Sequence, residues 1–354
     1  MRCWLLLLSP VAVAAACGSR TGLIVPGGST PEEAGPSDGG VGVVDVTLSD
    51  VVDEARDAGG DAEADAPEET AEACTSGCTS LQVVGGTYDR SYDGFTFTDS
   101  TNPATVSGFR LDQYEVTVGR FRQFVGAVVG GWLPSAGSGK HTHLNGGQGL
   151  VATGGGYETG WDATDWNSQI ATTAAAWNSN LVNGTWTATA DGNENLPISQ
   201  IDWYEAYAFC IWDGGFLPSE SEWNYAAAGG SDQRAYPWSP AFPPGSTSID
   251  CTQENYDGCP TGVVHTVGSE SPAGDGKWGQ ADLAGNVWEW NLDWNESSYV
   301  TPCADCANLT AASFRVLRGG SFGNTPPVLL VSFRDLDPPE YRGDLVGVRC
   351  ARAP

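Results

Sequence analysis

An export signal ahead of a cysteine-rich chain constrains this protein more than any other feature. Arg2 supplies a short positive segment, and an apolar run from Trp4 to Ala16 follows. A helix needs about twenty apolar residues to span a bilayer, so residues 1–16 read as a signal peptide. The run ends in Ala14-Ala15-Ala16-Cys17, small residues directly before a cysteine. At such a site Cys17 is acylated and becomes the mature N-terminus; the alternative is ordinary cleavage after a small residue. Either route exports the chain to an oxidising compartment, where cysteines pair.

The chain has ten cysteines. Setting aside Cys3, lost with the signal, and Cys17, the lipid anchor, leaves an even set: Cys74, Cys78, Cys210, Cys251, Cys259, Cys303, Cys306 and Cys350. Spacing alone cannot fix their connectivity. Three near pairs stand out: Cys74 with Cys78, Cys251 with Cys259, and Cys303 with Cys306. Cys210 and Cys350 remain for one long closure. Zinc is the competing reading of Cys303-x-x-Cys306, but no second CxxC or His pair stands at a typical spacing.

Residues 17–80 separate the anchor from the folded part. From Pro31 to Glu72 the segment is built from small and acidic residues, with Arg56 its only cation and no aromatic residue. It cannot bury enough surface to offset its chain entropy and reads as a disordered acidic tether. The whole chain carries 16 Lys+Arg against 44 Asp+Glu, a net charge of −28. That balance excludes a nucleic-acid partner, since phosphate binding needs clustered cations. No other segment is apolar enough to span a membrane, so membrane attachment is through the lipid alone.

The folded domain is expected over 81–354. Val83–Tyr88 reads as an opening strand and Val106–Thr117 as a second. Val118–Val128 reads as a short helix, with Phe121, Phe124 and Val125 on one side. Residues 126–195, rich in Gly, Ala, Thr, Asn and Trp, read as a long irregular insertion, in which Ala174–Trp177 is a helical turn. Trp203–Trp212 has helical periodicity, Asp202 as N-cap and Gly214-Gly215 as its stop. Ser219-x-x-Glu222 is a capping box opening a helix to Ala228. His141-x-His143 lies in the insertion and reads as a pair of surface-loop histidines.

The blocks FRLDQYEVT (109–117), IDWYEAYAFCIWDGGFLPSESEWNYAAAGG (201–230), Tyr236-Pro237-Trp238, LAGNVWEW (283–290), RVLRGGSF (315–322) and VGVRCAR (346–352) resemble, in order, those of the formylglycine-generating enzyme, or sulfatase-modifying factor, family. The resemblance implies a single α+β domain of the irregular C-type-lectin-like kind. It also implies a Cys210–Cys350 disulfide. Catalytic members of the family hold Cu(I) with two cysteines shortly after the GGS block, thiolates being the soft ligands that select this ion. The matching positions here hold Asn324 and Leu329. Copper-dependent oxidation of a substrate cysteine is therefore not expected, and no residue is assigned as catalytic.

Calcium is the cofactor that the resemblance implies. Carried over by position, the ligands are Asp282 and Glu289 through their carboxylates and Gly285 and Val287 through their carbonyls, with a second site at Asn255 and Tyr256. Ser321, Asn324 and Arg334 are the expected lining of the groove where catalytic relatives hold a peptide. Trp203, Trp212, Trp223, Trp288 and Trp290 read as core, and Arg318, Arg334 and Arg349 as partners of acidic residues near the C-terminus. The function that follows is an exported lipoprotein of the cell envelope, its calcium-stapled domain binding a peptide, protein or glycan. The alternative is a formylglycine-generating-type oxidoreductase acting on protein cysteine through an atypical metal site.

Overall fold

The computed structural model describes residues 78–299 and 301–354; the expected signal peptide, Cys17, Cys74 and the expected acidic tether up to residue 77 lie outside the described residues. The described residues all belong to one compact unit. In chain order the elements are β1 (Ser80–Val83), β2 (Gly86–Asp89), β3 (Pro103–Val106), β4 (Phe109–Asp112), α1 (Val118–Val129), β5 (Val151–Ala152), α2 (Ala174–Asn180), α3 (Trp203–Trp212), α4 (Glu220–Ala227), β6 (Trp288–Trp294), β7 (Cys306–Ala307), β8 (Arg315–Arg318), β9 (Asp335–Asp337), β10 (Val346–Gly347) and β11 (Ala351–Arg352). The architecture is α+β and loop-rich. Two small sheets, β1-β4-β11 and β10-β6-β8-β9, stand with a separate β2-β3 ribbon and a short β5-β7 pair. None of the described helices is long and apolar enough to cross a membrane.

The two expected strands each divide in two. β1 and β2 part at Gly85, where a Cβ would lie 2.6 Å from the backbone of Val106 and Gly108. The same crowding bends the partner segment at Ser107-Gly108, separating β3 from β4. The expected strand also stops at Asp112, because beyond it the Glu115 side chain turns inward to accept from the Val287 amide and the Asn286 side chain.

The helices start where local chemistry directs. Thr117 caps α1 by accepting from the Arg120 amide. Asp202 with Glu205, and Ser219 with Glu222, close reciprocal capping boxes on α3 and α4. Each box satisfies two backbone donors that helix geometry leaves without a partner. All eight residues of α4 are buried, although half of them are polar or charged. A polar helix can be buried only when its side chains are partnered. Here Glu220 meets Arg318 and Arg334, Trp223 donates to Glu289, and Asn224 donates to the Val331 carbonyl.

The 126–195 segment is largely irregular, yet it is a wall of the core. Its Trp161, Ile170, Trp177, Leu181 and Trp186 join α1 and α3 in one hydrophobic cluster. Phe121 stacks on Phe209 of α3 and meets Trp177 edge-on, both with centroids 5.6 Å apart. Three disulfides tie the loops: Cys210–Cys350, Cys251–Cys259 and Cys303–Cys306. Cys78 is disulfide-bonded as well.

Candidate functional site

The turn after β8 carries the GGS block. Gly319 and Gly320 both have positive φ, +96° and +77°, and swing the chain so that Ser321 points inward and is fully buried. Ser321 donates to the Asn324 side-chain carbonyl through its amide (3.0 Å) and its hydroxyl (2.7 Å). The Asn324 amide returns a bond to the Ser321 carbonyl. Asn324 is thus tied back upon its own turn. Leu329 is fully buried in an apolar cluster with Ala235, Tyr236, Ala284 and Leu330. All seven cysteines among the described residues are in disulfides, so they offer no thiolate. The donor set does not fit Cu(I), which requires soft sulfur ligands.

The expected groove residues do not come together. Arg334 borders a cavity of about 530 Å³ with Arg90, Phe97, Asn102, Tyr299 and Phe333, and neither Ser321 nor Asn324 lines it. The Arg334 guanidinium reaches Glu220 at 2.8 Å and lies over the Tyr299 ring. The arginines also differ from expectation in their partners. Arg318 and Arg334 share Glu220 of α4, and Arg349 grips Glu289 of β6, rather than acids near the C-terminus.

Of the six expected calcium ligands, the structure draws together a different set. Glu289 is already spent: Arg349 donates to both of its oxygens at 2.6–2.9 Å, and Trp223 Nε1 donates to Oε2 at 2.7 Å. The Tyr256 carbonyl accepts from the amides of Gly258 and Cys259, closing a turn. Asp282 instead faces Glu254 and Glu270; one carboxylate oxygen from each lies within 4.8 Å of the others. Gly285 permits this approach, since a Cβ there would meet Glu254 Cγ at 2.5 Å. Val287 contributes its amide to Glu115.

Three buried oxygens in this region have no hydrogen-bond partner: Glu254 Oε2, Glu270 Oε2 and Asn255 Oδ1. Burial raises the Glu254 carboxyl well above its usual range, and Asp282 and Glu115 push it further. Burial also lifts Asp282 to about 7, against the opposing pull of the Gly268 amide and Arg349. Unpartnered, buried carboxylate and amide oxygens form a hard donor set, which suits Ca²⁺. Glu254, Glu270 and Glu115 escaped the sequence reading. Only the adjacency of Glu254 to Asn255 offered a hint; 254, 270 and 282 follow no periodicity.

His141 corrects another expectation. It is fully buried, not on a surface loop: Nδ1 lies 3.0 Å from Glu158 and Nε2 lies 3.0 Å from Glu222. Burial opposes its charge, but the two carboxylates outweigh it and hold the imidazolium up to about 10. The triad binds the 126–195 segment to the N-terminus of α4.

Comparison with known proteins places this geometry. The sulfatase-modifying factor enzyme 1-like domain matches residues 66–354. The formylglycine-generating enzyme of Streptomyces coelicolor is 32% identical over 263 residues, 69% of this chain and 77% of that protein. The inactive C-alpha-formylglycine-generating enzyme 2 of Bos taurus is 33% identical over 169 residues, 44% of this chain, which spans only 50% of that relative. Among solved structures, PvdO from Pseudomonas aeruginosa has the same fold, with a TM-score of 0.53 at 20% identity, covering 79% of this chain and 96% of that one.

Proposed function

The chain belongs to the sulfatase-modifying factor family, and within it we propose that this member is a non-oxidising binding module stapled by calcium. One observation carries the reading: the positions that hold copper thiolates in catalytic relatives are here a self-bonded Asn324 and a core Leu329. Neither side chain offers sulfur, and each is satisfied where it stands. Similarity to both an active and an inactive relative is compatible with this, because fold alone does not transfer chemistry.

Calcium would be held by Glu254, Glu270 and Asp282. The ion would supply positive charge to a buried acidic cluster and link the 254–270 loops to the start of β6; its role is structural. The cavity beside Arg334 is the surface where a peptide, protein or glycan would dock, combining the apolar faces of Phe97 and Phe333 with the Arg334 guanidinium. Cys17 lipidation would display the module from the cell envelope.

The test is a cysteine-peptide oxidation assay with Cu(I), run beside a catalytic relative as positive control. No formylglycine above the protein-free background is expected. Turnover by the wild-type chain would refute the reading and favour an oxidoreductase with an atypical metal site. Cys17→Ala, followed by labelled-palmitate incorporation, tests the anchor separately: label should appear in the wild type and vanish in the variant.

A further inference from the structure

A second cavity, of about 240 Å³, lies where the 126–195 segment meets α3, β6 and the loop before β8. Trp166, Trp203, Tyr207 and Trp294 give it aromatic walls, and Arg315 forms its cationic end. Arg315 is 3% exposed, with its guanidinium carbon 3.6 Å from the ring centroids of both Trp203 and Trp294. Nη1 donates to the Leu292 carbonyl, while Nε is buried without a partner.

Buried Arg318, Arg349 and Arg352 each grip a carboxylate. Arg315 has none within ion-pair distance among the described residues. The acids nearest to it are engaged elsewhere. Asp293 accepts from the amides of Glu220 and Asn308. Glu158, which also lines the cavity, is paired with the His141 imidazolium that it shares with Glu222. Burying a cation without a counter-charge is costly, and burial lowers this guanidinium to about 9. At neutral pH it remains a cation, fixed between two rings and facing a space whose one lining carboxylate, Glu158, is tied to His141.

We propose that this cavity binds a small aromatic carboxylate, its ring against the Trp166–Tyr207 wall and its carboxylate on Arg315. The volume falls below the usual range for drug-sized ligands, which restricts the occupant to roughly a single ring with a short acidic arm. Arginine suits a planar carboxylate through bidentate hydrogen bonding, and the stacked tryptophans fix the fork in place. The inference stands apart from the calcium and copper readings, since it shares no residue with either.

The experiment titrates the full mature chain with phenylacetate, phenylacetamide and acetate, followed by tryptophan fluorescence and calorimetry. Phenylacetate should bind saturably. Phenylacetamide, of the same shape without the charge, and acetate, with the charge but no ring, should each bind at least tenfold more weakly. Arg315→Met should abolish phenylacetate binding. Because that variant could fold poorly, Ala311→Trp serves as the second probe: Ala311 is exposed at the cavity rim, so a bulky ring there should block entry while leaving the melting temperature unchanged. Equal binding of phenylacetate and phenylacetamide, no binding of phenylacetate at 10 mM (a ceiling of about 3 kcal/mol), or unaltered binding in a folded Ala311→Trp variant would each overturn the proposal.

Discussion

Replacing both members of the Cys210–Cys350 disulfide by alanine tests how this loop-rich domain is held together. The bond joins the last turn of α3 to the segment just before β11, across a sequence separation of 140. Cross-linking a loop of that size removes roughly 17 cal/mol/K of entropy from the unfolded chain, about 5 kcal/mol at 25 °C. The native backbone should hold without the bond: Asp112 donates to the Cys350 carbonyl, and Phe216 and Ala351 exchange two backbone hydrogen bonds. The loss therefore falls on the unfolded state, with about 1 kcal/mol more for the small void left by two buried sulfurs. Cys251–Cys259 closes a separation of only 8, for which the same treatment gives about 2.5 kcal/mol. Urea unfolding of the two double-alanine variants is the assay. With a slope of about 3 kcal/mol/M, the long closure should lower the midpoint by nearly 2 M and the short one by about half as much. Equal shifts in the two variants would refute the loop-entropy reasoning.

Two further perturbations address the buried charges. Calcium at a hundred times its dissociation constant should stabilise the wild type by about 2.7 kcal/mol over a chelated sample; Glu254→Gln should remove most of that increment, because it replaces a ligand carboxylate by an uncharged amide. A melting temperature indifferent to calcium in the wild type would sink the calcium assignment. For His141 the folded pKa is about 10 against an ordinary 6.5, so its contribution is fully present below pH 6.5 and lost as pH rises towards 10. At about 1.4 kcal/mol per unit this amounts to some 5 kcal/mol at most. The facing groups are Glu158, Glu222 and His143, and the unfolding free energy of His141→Gln should be flatter across that window; an identical pH profile would contradict the triad.

Local signals in the sequence carried into the structure, and signals that depend on distant partners did not. Asp202–Glu205 and Ser219–Glu222 are three-residue reciprocal bonds, so the starts of α3 and α4 could be read directly. The division of Val106–Thr117 could not, because it falls where Gly85, between β1 and β2, closely approaches Val106 and Gly108. The same distinction runs through the candidate site. Asn324 and Leu329 were visible as residue types, and their identity alone removes sulfur. The acidic cluster was only partly visible, since Glu254, Glu270 and Asp282 meet through irregular loops, and Glu289 was claimed by an arginine 60 residues away. His141 looked like a loop residue because its neutralising partners stand 17 and 81 positions along the chain.

These two kinds of position also differ in how far the fold depends on them. The blocks that carry the family resemblance supply buried, mutually dependent charges: Glu220 with Arg318, and Glu289 with Arg349 and Trp223. Removing one partner from such a pair strands the other, at a cost of about 3–5 kcal/mol, so these residues cannot change singly without endangering the fold. Asn324 and Leu329 obey no such constraint. Asn324 satisfies itself within its own turn, and Leu329 adds apolar burial to a cluster that is already apolar. As they stand, these two positions carry no charge that depends on a distant partner. The family blocks therefore report a scaffold, while the chemistry depends on two side chains that can be exchanged independently of it.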